Sequence, residues 1–147
     1  MPTSSFTKFQ DFVDQLGRGV HNFGSHSFKL ALTNTAPTVA TDSGLANITQ
    51  ISATGGYTAG AGGGYALSGV TWAETGGIGK LTITDLVITA TGGSVGPFRY
   101  LVIYNDTATS PADALIGYYD YASALTLADT ETLTVDFDGT NGVLTVT

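Results

Sequence analysis

There is no cysteine anywhere in this chain, which excludes thiol catalysis, disulfide staples and cysteine-ligated zinc. Cations are nearly as scarce. Lys8, Arg18, Lys29, Lys80 and Arg99 are the only five, scattered along the sequence against twelve acidic residues, for a net charge of −7. With no basic patch, direct nucleic-acid binding is not expected. No window approaches the ~18–20 apolar residues of a membrane span, and the opening Met1-Pro2-Thr3-Ser4-Ser5-Phe6-Thr7-Lys8 has no basic region followed by an apolar stretch. Neither membrane insertion nor secretion is expected. Charge of either sign is thin, at 12% of residues where a globular protein carries about 25%. Serine, threonine, alanine and glycine fill the positions that read as exposed, so much of the surface is expected to meet other chains in an assembly.

What the chain does contain is strand pattern punctuated by glycine. In Glu131 to Phe137, Leu133, Val135 and Phe137 fall on one face while Thr132, Thr134 and Asp136 fall on the other. Further strands are predicted at Phe28 to Thr33, Ala46 to Ile51, Tyr65 to Glu74, Gly79 to Ala90, Phe98 to Tyr104, Ala114 to Tyr121, Leu125 to Leu127 and Val143 to Thr147. Turn signals separate the later ones: Gly76-Gly77, Gly92-Gly93, Gly96-Pro97, Asn105-Asp106, Ser110-Pro111 and a hairpin signature at Asp138 to Gly142. Eight or nine short strands without βαβ alternation predict an all-β fold, a single antiparallel β-sandwich of jelly-roll type. The 147 residues suit one domain, able to bury roughly 68–70% of its unfolded surface. Residues 1–26 read as an N-terminal helix and arm, and residues 27–147 as the β-sandwich.

The arm carries one short amphipathic helix. Phe9, Phe12, Val13 and Leu16 sit at i, i+3, i+4 and i+7, with Ser4 or Ser5 as N-cap and Gly17 and Gly19 to end it. At about twelve residues it is marginal alone, so its stripe is expected to dock, on its own domain first and on a neighbouring subunit as the alternative. Gly55 to Gly64 reads as a long flexible loop. It lacks the Lys-Ser/Thr of a phosphate loop and the strand-then-helix setting of a dinucleotide fingerprint, so its expected role is surface contact.

No catalytic constellation stands out. His21 and His26 are the only histidines and have too few partners for zinc, and no Gly-x-Ser-x-Gly elbow offers a serine nucleophile, so both read as loop residues. Asp136 to Gly142 alternates oxygen ligands like a calcium loop but lacks the distal glutamate, and a turn is the simpler reading. Asp120, Asp129 and Glu131 could be imagined as a glycosidase pair, a weak signal in any β-rich chain. Tyr118, Tyr119 and Tyr121 with Asp120 could line a sugar platform, but alternation divides them between two faces, one of them core. Trp72 reads as a packing or interface anchor. A structural or binding protein is expected, with no enzymatic activity, cofactor or metal.

The run Gly92-Gly93-Ser94-Val95-Gly96-Pro97-Phe98-Arg99-Tyr100-Leu101-Val102-Ile103-Tyr104-Asn105-Asp106-Thr107, then Leu115 to Tyr121, and finally Thr132 to Asp138 with Gly142 to Val146, resembles small virion structural proteins of tailed bacteriophages. Among these it is most similar to capsid decoration, or cement, proteins. The opening from Lys8-Phe9-Gln10-Asp11-Phe12-Val13 through His21-Asn22-Phe23-Gly24 to Leu32-Thr33-Asn34-Thr35 fits the same group. The resemblance implies a protein on the capsid exterior of a virion assembled in the host cytoplasm, binding the major capsid protein at capsomer junctions as a homo-oligomer, commonly a trimer. Phe6, Phe9, Phe12, Tyr57 and Trp72 are the candidate interface anchors, because aromatics are enriched at interfaces. Tail and fibre proteins share this style, so a tail component that binds a host glycan is the alternative.

Overall fold

The computed structural model describes residues 3–147; Met1 and Pro2, at the head of the 1–26 segment, lie outside them. Strand makes up 44% of the chain and helix 8%, and every strand pairing is antiparallel. The fold is all-β. Its spine is one long hairpin, β7 (Val95–Thr109) and β8 (Ala112–Leu127), turned at Ser110-Pro111. β2 (Phe28–Thr33) pairs with β7, β3 (Tyr65–Ala66) with β2, and β1 (Thr7–Lys8) with the other edge of β8, giving a five-stranded sheet ordered β1-β8-β7-β2-β3. Two smaller sheets hold β4 (Thr71–Thr75), β5 (Ile78–Thr82) and β10 (Leu144–Val146) in the order β10-β5-β4, and β6 (Leu86–Thr89) beside β9 (Thr132–Val135).

The main core joins the five-stranded sheet to both small ones. Phe28, Leu30 and Leu32 of β2, Phe98, Leu101 and Ile103 of β7 and Ile116 of β8 meet Leu81 of β5, Ile88 of β6 and Val135 of β9. The alternation predicted for Glu131 to Phe137 holds residue by residue: Val135 and Phe137 are buried and Leu133 half-buried, while Thr132, Thr134 and Asp136 are exposed. The sheet's opposite face is also covered. Ala31, Val102, Tyr104 and Leu115 pack there under Phe9, Leu45 and Ile48, so Leu30 to Thr33 is buried on both sides.

Several expected elements take a different form. Ala46 to Ile51 is not a strand: Leu45–Asn47 form a 3₁₀ turn whose Leu45 and Ile48 cap this second core. Asn105-Asp106 makes no turn, because β7 runs through it with a register shift, and Gly96-Pro97 likewise lies inside β7. The Asp138 to Gly142 turn joins no hairpin, since β9 pairs with β6 while β10 pairs with β5. The helix, α1, spans Gln10–Gly17 only. Thr7 and Lys8 pair instead with Tyr118 and Gly117, and Phe9 N–H donates to the Ile116 carbonyl, so sheet bonding claims the residues that would have formed the first turn. No helix among the described residues is long and apolar enough to cross a membrane.

Candidate functional site

The five anchor candidates divide by burial. Phe9 and Phe12 are 0% and 1% exposed and Tyr57 is 3% exposed, so all three are core residues of their own chain and are corrected as interface anchors. Phe9 tilts against Tyr118 in the second core, and Phe12 packs with His21 and Phe23 in the first. Phe6 and Trp72 are half-buried. Phe6 lies against Tyr119, over Gly117, where an added Cβ would collide with its ring; Trp72 stacks on Phe23 at 5.3 Å and covers Gly79. The helix stripe thus docks on its own domain, leaving Val13 outward at 56% exposure.

The glycine-rich loop is pinned instead of free. Tyr57 Oη accepts from Leu32 N–H at 3.0 Å and donates to Gln50 Oε1 at 2.8 Å, while Gln50 Nε2 donates to the Gly60 carbonyl at 2.9 Å. Lys29 Nζ donates to the Gly62 carbonyl at 2.7 Å, Tyr104 donates to the Gly63 carbonyl, and Gly62 N–H donates to Asp113 at 3.1 Å. Five of its glycines, Gly55, Gly56, Gly60, Gly62 and Gly64, have positive φ, which explains the composition without flexibility: the path requires left-handed backbone. Burial raises the Tyr57 phenol to about 12, opposed by the Leu32 hydrogen bond.

The two histidines are not loose loop residues. His21 is buried, and Asn105, fully buried in β7, places its Nδ2 3.1 Å from the Val20 carbonyl, 3.2 Å from His21 Nδ1 and 3.0 Å from His26 Nδ1. Two amide hydrogens face three acceptors. His21 Nε2 has no partner among the described residues, and burial, with help from His26 and against Asp11, lowers its pKa to about 4. The knot joins the arm to β7, a role that five-residue His spacing and a remote Asn could not signal.

The carboxylates considered for catalysis bind their own surroundings. Asp129 accepts from Gly92 N–H at 2.8 Å and Glu131 from Ala128 N–H at 2.7 Å. Asp120 takes a bidentate pair from Arg99 at 2.7 and 2.9 Å, and that bond first of all lowers its pKa. Asp138 caps the turn after β9, accepting from the Thr140 and Asn141 amides and from Asn141 Nδ2, and these bonds hold its carboxyl below the usual range. No group of three or more His, Asp or Glu among the described residues is placed to hold a metal.

One cleft opens where β8, β9 and the N-terminal segment meet. It measures about 350 Å³ and is lined by Tyr119 and Tyr121, by Leu101, Leu133 and Val135 beneath, and by Asp120, Asp136, Asp138, Ser4, Thr3 and Thr134. Its position follows from the fold: Tyr119 and Tyr121 fall on the face of β8 that meets β9, while Tyr118 packs into the second core. Tyr119 is wedged between Phe6 and Phe137, and burial followed by the Asp138 charge raises its phenol to about 12. The sequence showed Tyr119 and Tyr121 sharing a face but gave no sign that Ser4 and β9 would close a wall around them.

Protein-family models, curated proteins and solved structures give no match to this chain. The functional reading therefore rests on the chain's own residues.

Proposed function

We propose that this chain is a virion structural protein that decorates and stabilises a bacteriophage capsid, binding the major capsid protein at capsomer junctions as a homo-oligomer, with a trimer favoured. It acts by binding, without turnover or cofactor. The reading takes its direction from the resemblance drawn at Gly92 to Thr107, Leu115 to Tyr121, Thr132 to Asp138 and Gly142 to Val146, and the observation on the chain that carries it is its thin charge, 12% of residues, which suits a surface that meets other chains. Two-sided burial of the five-stranded sheet supports it, since a preorganised surface loses little entropy on binding. Because Phe9, Phe12 and Tyr57 are interior, shell contact through the arm runs along the outer face of α1, where Val13, Asp14 and Arg18 are exposed.

The test mixes purified protein with expanded, undecorated shells and reads added density by cryo-EM. Density at three-fold or quasi-three-fold positions, with higher resistance of the shells to heat, is the expected result. Bare shells, together with antibody labelling of this protein on tails, would overturn the reading in favour of a tail component.

A further inference from the structure

The cleft between β8 and β9 carries negative charge and no positive charge. Its charged side chains are Asp120, Asp136 and Asp138, its other polar groups are hydroxyls, and no lysine, arginine, histidine, asparagine or glutamine lines it. Asp120 is neutralised by Arg99, which lies outside the lining. Asp136 is exposed and has no hydrogen bond or ion pair among the described residues. Guanidinium and ammonium groups carry positive charge and present donors only, which suits a site whose charged groups are all carboxylates. Tyr121, half-buried where it packs against the main core, lines the cleft and presents an aromatic ring to it, and Leu101 and Leu133 suit the aliphatic stem of a long basic side chain. At about 350 Å³ the cleft lies at the low end of ligand-site volumes, room for one side chain and its flanking backbone. The chain's net charge of −7 draws a cationic partner toward it.

We propose that this cleft is a docking site for an arginine-bearing segment of a partner protein, the guanidinium meeting Asp136 and the Tyr121 face. Arginine fits better than lysine because its planar fork both stacks on a ring and bonds a carboxylate side-on. The site stands apart from the shell reading and holds for any partner with an exposed arginine loop.

The test is an NMR titration of the full chain with the blocked tripeptide acetyl-Gly-Arg-Gly-amide, its citrulline counterpart, which keeps the shape and loses the charge, and a neutral methyl glycoside. The arginine peptide should give saturable shifts confined to Tyr119, Tyr121 and Leu133 to Asp136. Citrulline should bind at least about fivefold more weakly, as should Asp136→Asn and Tyr121→Ala proteins with unchanged circular dichroism. Equal binding of arginine and citrulline, shifts spread over the acidic surface, saturation by the glycoside alone, or no saturable shift at all would each overturn the proposal.

Discussion

The glycine-rich loop and the β8–β9 cleft are opposites. From composition the loop looks open and available, yet its carbonyls and amides are spent on Gln50, Lys29, Tyr104 and Asp113, and its one aromatic is buried. The cleft is written in ordinary strand residues, yet Asp136 makes no hydrogen bond or ion pair among the described residues and Tyr121 lines the opening. Glycine content reports the backbone angles a path needs; it does not report whether the path is free. Unspent polar groups beside an apolar floor are the better mark of a binding surface.

Substitutions can break this contrast, and the largest effect is expected where the arm enters the core. Phe9→Ala should cost about 3–5 kcal/mol in denaturant unfolding, since a fully buried phenylalanine leaves a cavity in the second core, beside Leu45, Ile48 and Tyr104. A cost below about 1 kcal/mol would mean that the arm detaches in solution.

A pH change should reach nearly as far through His21. Its folded pKa, about 4, lies below the ordinary 6.5, so the unfolded chain binds the extra proton first. The stability is complete above pH 6.5 and is lost as pH falls toward 4, at 1.36 kcal/mol per unit about 3 kcal/mol in all. Melting temperatures from pH 7 to 4 should fall for the native chain and fall less for His21→Phe, which also leaves the two Asn105 amide hydrogens with two acceptors.

Tyr57→Phe sharpens the loop's side of the comparison. It removes one oxygen that both accepts from Leu32 N–H and donates to Gln50, and a buried donor left without a partner costs about 1–3 kcal/mol. At the cleft the expectation reverses. Asp136→Asn should change stability by no more than about 0.5 kcal/mol, the usual range for an exposed site, while weakening the arginine peptide.

How much of this was legible depended on whether local pattern and tertiary demand agreed. They agreed in β9, whose alternation survives because one face meets the core and the other solvent, and at Gly76-Gly77 and Ser110-Pro111, which turn the β4–β5 and β7–β8 hairpins. They disagreed at Asn105, where turn chemistry was overridden because its amide bonds the buried His21 and the half-buried His26, and at Thr7 and Lys8, which a sheet edge took from the helix. Ala46 to Ile51 had the apolar residues of a strand, but they part company: Ile48 covers the second face of a sheet whose two-sided burial no single strand announces, and Ile51 packs into the main core. The cleft shares that fate: its tyrosines were visible, its walls come from segments more than a hundred residues apart.

The central claim is that the arm's buried aromatics and the glycine-rich loop are structural parts of the fold. Native-state amide hydrogen exchange tests it most directly. The Phe9 amide, bonded to the Ile116 carbonyl, and the Gly64 amide, bonded to Thr58, should exchange as slowly as the β2 and β7 amides, opening only with global unfolding. Exchange at these two positions at the rate of an unstructured chain, while β2 and β7 stay protected, would contradict the account.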